Sequence, residues 1–158
     1  MRTLTHFLLV LLVSFSFSCS SEDPDPLTKD GPFKISELAG TWEATKAAFS
    51  GEAMRLDVIE EGGTVTLSVQ SSGRFTLNID PADRAAYTVS GEMFWEEWEG
   101  KFYFAIEWDN YRGDWDTYGH TKTATTFSLL GGFDSGEYDF DNDGDMEPCS
   151  ISFAFVRV

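Results

Sequence analysis

The chain contains few of the residues from which catalytic and metal centres are most often built. Its 158 residues include only two cysteines and two histidines. It has no Cys/His spacing of a zinc site, no glycine-rich phosphate loop and no Gly-x-Ser-x-Gly elbow. A nucleophilic pair of Cys149 and His120 would lack a third group to orient it. The sequence therefore predicts a protein that is not an enzyme.

Positive charge is also scarce. Eleven Lys and Arg residues stand against 27 Asp and Glu residues, which gives a formal net charge of −16. A field of this sign repels nucleic acid and favours cations or a basic protein partner, so the sequence excludes nucleic-acid binding. Acidic residues are frequent enough that clusters resembling a glycosidase carboxylate pair arise by chance, as with Glu96, Glu97, Glu99 and Asp109.

The longest apolar run, residues 7–13, is too short to remain in a bilayer as a spanning helix but suits a signal peptide. The Ser18-Cys19 pair that follows resembles the lipobox of bacterial lipoproteins, although Ser16 stands where that motif has an aliphatic residue. The resemblance implies a signal peptide over residues 1–18, a lipid on Cys19 and an outer-membrane lipoprotein of the cell envelope. Alternatively, ordinary signal peptidase cleaves after Ser18, and Cys19 pairs with Cys149.

Residues 19–32 are polar, acidic and proline-containing, which predicts a disordered tether. Within them, the Ser-Ser-Glu-Asp of residues 20–23 resembles the stretch that sends some Bacteroidetes-type lipoproteins to the cell surface. A solvated linker explains the same four residues.

Residues 33–158 carry apolar side chains at period two, separated by turn signals. At most one helical turn is expected, over residues 36–39. We expect an all-β domain, an eight-stranded antiparallel up-and-down barrel that encloses either packed side chains or one small ligand. The predicted strands lie near residues 40–49, 54–59, 65–69, 75–79, 87–95, 101–108, 125–129 and 151–155.

The opening Gly40-Thr41-Trp42 and the late Arg157 resemble the Gly-x-Trp start and closing arginine of lipocalins. This resemblance implies a lipocalin-like (calycin-type) barrel in which Arg157 packs on Trp42 at the closed end. Simpler roles are a core aromatic for Trp42 and a surface charge for Arg157. Avidin-type barrels share the Gly-x-Trp opening and are the second family resemblance, but nothing here matches their polar ligand shell.

Several aromatic residues fall in or near predicted turns, where burial is harder. They are predicted to contact an apolar ligand or a sugar ring at the barrel mouth, or else to cap the barrel end. Trp95 and Trp108 fall on the apolar phase of their strands and are assigned to the core. The four candidate ligand-binding residues are Trp98, Tyr111, Trp115 and Tyr118.

Residues 131–149 form a long acidic connection with the spacing of a calcium loop. Gly144 permits the sharp turn, but Ser150 stands where an EF-hand has its bidentate Glu. Either Asp134 or Glu137 completes the site, or binding is weak; a solvated hairpin tip is the simpler alternative. The candidate ligands are Asp139, Asp141, Asp143, Asp145 through its carbonyl, and Glu147.

Together these features predict a lipid-anchored envelope protein that holds a small apolar or amphipathic ligand in a β-barrel. The alternative is a packed, ligand-free barrel whose acidic surface contacts a basic protein. No cofactor other than calcium is implied.

Overall fold

The computed structural model describes residues 27–158, which form antiparallel strands with two short 3₁₀ helices, η1 (Ile35–Leu38) and η2 (Asp109–Tyr111). None of the helices in this part of the chain has the length and hydropathy needed to cross a bilayer. The strands are β1 (Leu27–Thr28), β2 (Gly40–Ser50), β3 (Arg55–Asp57), β4 (Thr64–Val69), β5 (Arg74–Asp80), β6 (Tyr87–Trp98), β7 (Lys101–Trp108), β8 (Asp116–Lys122), β9 (Thr126–Leu130), β10 (Gly136–Tyr138) and β11 (Glu147–Arg157).

Eight of these strands form a closed barrel in the order β2-β4-β5-β6-β7-β8-β9-β11. Closure comes from β11 pairing with β2, from Ser150 opposite Ser50 to Arg157 opposite Trp42. Every pair is antiparallel, and each barrel strand lies beside the next one in sequence. The predicted fold class, an eight-stranded antiparallel up-and-down barrel, is confirmed.

The predicted strand count is right, but two of the strands differ. The segment predicted near residues 54–59 contributes only β3, which pairs with β2 outside the closed circuit. The prediction missed β8, because its sequence Asp-Thr-Tyr-Gly-His-Thr-Lys buries only Tyr118 and so lacks an apolar alternation. β10 is a second short addition, paired with β11.

An irregularity in β2 changes which of its side chains face the core. The pairing with β11 shifts register between Ala154 and Phe155, where β2 passes from Lys46 to Ala44. Because a bulge of one residue reverses the alternation, Phe49 joins Trp42 in the core. The prediction assumed an unbroken alternation, in which Lys46 and Ala48 share a face with Trp42.

One end of the barrel, where β2 begins and β11 ends, is covered by residues 29–38; we call it the closed end. Phe33 packs against Trp95, Phe104 and His120, with ring centroids 5.0–6.2 Å away. β1 pairs with β6 beside them. Residues 27–32 were predicted to belong to the disordered tether, but they are ordered against the barrel. Gly31 lies directly on the Trp95 ring, where a larger side chain would clash. Residues 19–26 lie outside the described residues.

Candidate functional site

The closed end is sealed by the contact that the lipocalin resemblance implies. The guanidinium carbon of Arg157 lies 4.1 Å from the ring centroid of Trp42, which is fully buried. Arg157 also donates hydrogen bonds of 2.7 Å to the carbonyl oxygens of Ala39 and Glu37. The Trp42 indole donates to the Leu38 carbonyl at 2.8 Å. These bonds join η1 to the first and last barrel strands, so this end offers no entrance.

A cavity of about 190 Å³ opens at the other end, which we call the mouth. Its walls are inward-facing apolar side chains of β2, β5, β6 and β11, which the period-two pattern places on one face. The polar groups that reach it come from β6, η2 and β10. The lining residues are Phe49, Leu77, Ile79, Tyr87, Thr88, Val89, Ser90, Trp108, Asn110, Tyr111, Gly136, Glu137, Met146, Ile151 and Phe153.

A hydrogen bond crosses the rim of this cavity. The Tyr111 hydroxyl on η2 donates to Oε1 of Glu137 on β10 at 2.5 Å, and this bond raises the pKa of Tyr111. Two further bonds fix the wall: the Trp108 indole donates to the Tyr118 hydroxyl at 3.0 Å, and Tyr118 donates to the Ser135 carbonyl at 2.7 Å. The rim is therefore set by η2, β8 and the connection before β10.

Tyr87 brings an unpaired polar group to this end of the barrel. Its hydroxyl is buried and finds no hydrogen-bond partner among the described residues. Burial raises the pKa of Tyr87 well above its usual value, so the phenol stays neutral. An unpaired buried hydroxyl costs on the order of 1–3 kcal/mol.

The four aromatic residues predicted to share the mouth are separated by the structure. Tyr111 lines the cavity, but Trp98 lies at the end of β6, at the closed end of the barrel, and is 62% exposed. Trp115 packs on Phe94, at 5.9 Å, and Tyr118 is buried in β8. Successive turns of an up-and-down barrel fall at opposite ends, which is why Trp98, in the β6–β7 turn, does not meet Tyr111.

Trp108 is the lining residue that the sequence assigned to the core. It ends β7, and its ring packs edge-on against Phe75 at 5.4 Å. Its strand phase indicates an inward side chain, but the phase cannot distinguish a filled interior from a hollow one. The same is true of Leu77, Ile79 and Phe153, so no signal in the sequence marked the cavity walls.

The acidic loop brings together four of its five candidate calcium ligands. Carboxylate oxygens of Asp139, Asp141, Asp143 and Glu147 all lie within 4.8 Å of one another. The side chain of Asp145 is outside this group, as expected for a residue that offers its carbonyl. Asp134 and Glu137 do not join the cluster either, and Glu137 bonds to Tyr111 instead.

The loop is shaped by its own carboxylates. Asp139 accepts hydrogen bonds from the backbone amides of Asp143 and Gly144, at 3.2 and 3.0 Å. Gly144 has a φ of +97°, the left-handed region that glycine adopts without strain. The Phe140 amide donates to Glu147 at 2.9 Å. Oxygens with this spacing suit a hard cation such as Ca²⁺, and calcium binding stays a prediction.

The remaining candidates for chemistry are not assembled. Cys149 is buried on β11, and burial raises the pKa of its thiol to about 12. His120 packs against Phe33 at the closed end. Asp109 is bound by Arg74 and Ser90, and the Arg74 bond holds its pKa well below the usual range. The acidic residues of the β6–β7 turn lie at the closed end, away from Asp109.

Comparison with known proteins gives a limited result. The crystal structure of lobster apocrustacyanin A1 matches with a TM-score of 0.42 and 14% sequence identity, over 87% of this chain and 77% of that chain. No family model and no curated protein matches the chain. The description of the fold therefore depends on the strand pairing itself.

Proposed function

We propose that this protein is a lipid-anchored binding protein of the cell envelope that holds a small apolar or amphipathic ligand in its barrel. The observation that carries the proposal is the cavity of about 190 Å³ at the mouth. Ligand sites are typically concave, mostly apolar and supplied with a few polar groups. The cavity has this composition, with Thr88, Asn110 and Glu137 beside apolar walls.

Membrane attachment is supported by the sequence alone. The apolar run of residues 7–13, the Ser18-Cys19 pair and the acidic stretch after it are typical of an exported lipoprotein, with Cys19 as the lipid acceptor. Residues 1–26 lie outside the part of the chain that the structure describes. The cell envelope is the location we propose on this basis.

The alternative is a packed barrel that acts through its acidic surface on a basic protein. A hollow mouth favours the ligand-binding proposal, because a barrel that only displays a surface gains stability from filling its interior. The acidic surface remains compatible with both functions.

Native mass spectrometry of the protein purified from the organism that makes it tests the ligand proposal. We expect an extra mass that survives purification and is lost on denaturation. In Val89→Trp, which adds bulk to the cavity wall, this mass should disappear. Val156→Trp adds the same bulk at a position on β11 that is 37% exposed and should retain it. If the unmodified protein shows only the mass of its polypeptide, the result contradicts the proposal and favours the packed-barrel function.

A further inference from the structure

The volume of the cavity limits the part of a ligand that the barrel can enclose. An engineered cavity of about 150 Å³ lined by aliphatic and aromatic side chains holds one benzene molecule. At about 190 Å³, the cavity here accepts one ring or a short branched chain together with a small polar group. A long acyl chain or a multi-ring ligand would have to extend out of the mouth.

The charge of the lining then limits the chemistry of that polar group. Among the residues described as lining the cavity, Glu137 is the only one charged at neutral pH, and no Lys or Arg is present. One Glu137 oxygen accepts the Tyr111 hydroxyl, and the other has no hydrogen-bond partner in residues 27–158. The rim therefore presents a carboxylate oxygen that is free to accept a donor from a ligand.

Three nearby arginines are engaged elsewhere, and a fourth, Arg55 on β3, does not line the cavity. Arg74 and Arg112 both pair with Asp109, at 2.6 and 3.0 Å. Arg84 binds the Asp83 carboxylate and the Asp139 carbonyl, and its side chain is only 12% exposed. An anionic ligand would enter without a counter-ion and would meet Glu137, which is unfavourable in a partly buried site.

The wider field at the mouth has the same sign. Its connections, residues 51–63, 81–86, 109–115 and 131–147, contain fourteen Asp and Glu residues and three Arg residues. In contrast, Lys29, Lys34, Lys122 and Arg157 lie around the closed end. A cleft rimmed by one sign of charge raises the local concentration of oppositely charged ligands.

We infer that the ligand is a small organic cation: a single-ring or short-chain apolar amine whose ammonium group is bound by Glu137. The body of the amine occupies the apolar walls, to which Trp108 and Tyr111 contribute their rings. This inference rests on the proposed ligand-binding function and adds the charge and size of the ligand to it.

Isothermal titration calorimetry with three probes of similar size tests the inference: 2-phenylethylamine, 2-phenylethanol and 3-phenylpropionate. We expect the amine to bind about tenfold more tightly than the alcohol and the carboxylate to bind most weakly, because a charge-assisted hydrogen bond to Glu137 forms only with the amine. Glu137→Gln should weaken amine binding about tenfold and leave alcohol binding within about twofold.

Glu97→Gln is the matched control, since it removes the same charge from an exposed position near the closed end. If Glu137→Gln and Glu97→Gln have equal effects, or if the alcohol or carboxylate binds as well as the amine, the inference is wrong while ligand binding by the barrel stands. If no probe binds but the protein from its own host carries extra mass, the ligand class is again wrong. If no probe binds and the native mass is bare, the proposed function is wrong as well.

Discussion

The hydroxyls of Tyr87 and Tyr118 are both buried, but only that of Tyr118 has hydrogen-bond partners. Removing a paired hydroxyl leaves its partners unsatisfied, whereas removing an unpaired one relieves a desolvation penalty. The same substitution at these two positions should therefore have different effects.

We predict that Tyr118→Phe lowers the free energy of unfolding by about 1–3 kcal/mol, because Trp108 and Ser135 lose a buried partner. Tyr87→Phe should leave it unchanged or raise it by about 1 kcal/mol. Urea unfolding of the two variants checks this. An equal loss in both would mean that the Tyr87 hydroxyl has a partner in solution.

Arg157 is a second residue whose contribution can be measured alone. Arg157→Ala removes the contact with Trp42 and the hydrogen bonds to Ala39 and Glu37, so we expect a loss of about 2 kcal/mol in urea unfolding. Arg157→Lys should recover only part of it, because an ammonium cannot donate in the same fork. Lys101→Ala, at an exposed position of β7, serves as the control and should change stability by less than about 0.5 kcal/mol. If Arg157→Ala also changes the free energy of unfolding by less than about 0.5 kcal/mol, the contact between Arg157 and Trp42 is not stabilising.

At the scale of whole elements, period-two patterning predicted the barrel, because most of its strands bury one face against a common core. It failed where that condition fails: β8 buries one side chain, and β3 ends after three residues. The prediction counted β3 as a barrel strand and missed β8, so the number of strands was still eight. Patterning also could not place turn residues such as Trp98 at the correct end, because the end depends on the number of strands before each turn.

The acidic loop between β10 and β11 is the element most open to a direct test. We predict that Ca²⁺ at about ten times its dissociation constant raises the Tm by about 3 °C relative to chelator. Asp141→Asn should abolish this rise, because Asp141 is one of the four clustered carboxylates. Asp145→Asn should keep it, since that side chain lies outside the cluster. Differential scanning calorimetry measures these Tm values. If calcium leaves the Tm of the unmodified protein unchanged, the calcium site is excluded.

The molecule as a whole is strongly acidic, and its acidic residues are concentrated at the mouth. This distribution was not visible in the sequence, where Asp and Glu occur throughout the chain. Successive connections of the barrel lie at opposite ends, so acidic residues that are neighbours in sequence can be placed at different ends. The sequence predicted a preference for cations in general terms, and the fold places many of the acidic residues behind that prediction at one opening.

The proposed membrane attachment is tested on the whole chain. We predict that the protein sediments with membranes and that Cys19→Ala moves it to the soluble fraction. Cys149→Ala should stay with the membranes, because its buried thiol takes no part in attachment. Membrane retention of Cys19→Ala would contradict a lipid anchor at that residue, and loss of retention in Cys149→Ala would favour a role for the second cysteine.

The position of β1 shows which end of the barrel the preceding chain leads to. Leu27 pairs with Glu96 near the closed end, so the chain enters the barrel opposite the mouth. Seven residues separate Cys19 from Leu27, so the chain between them reaches at most about 28 Å when fully extended. If the protein is anchored at Cys19 as proposed, the tether leads to the closed end, and the mouth lies on the side of the barrel away from the point where the tether joins it. A ligand would then reach the mouth without passing the sealed end.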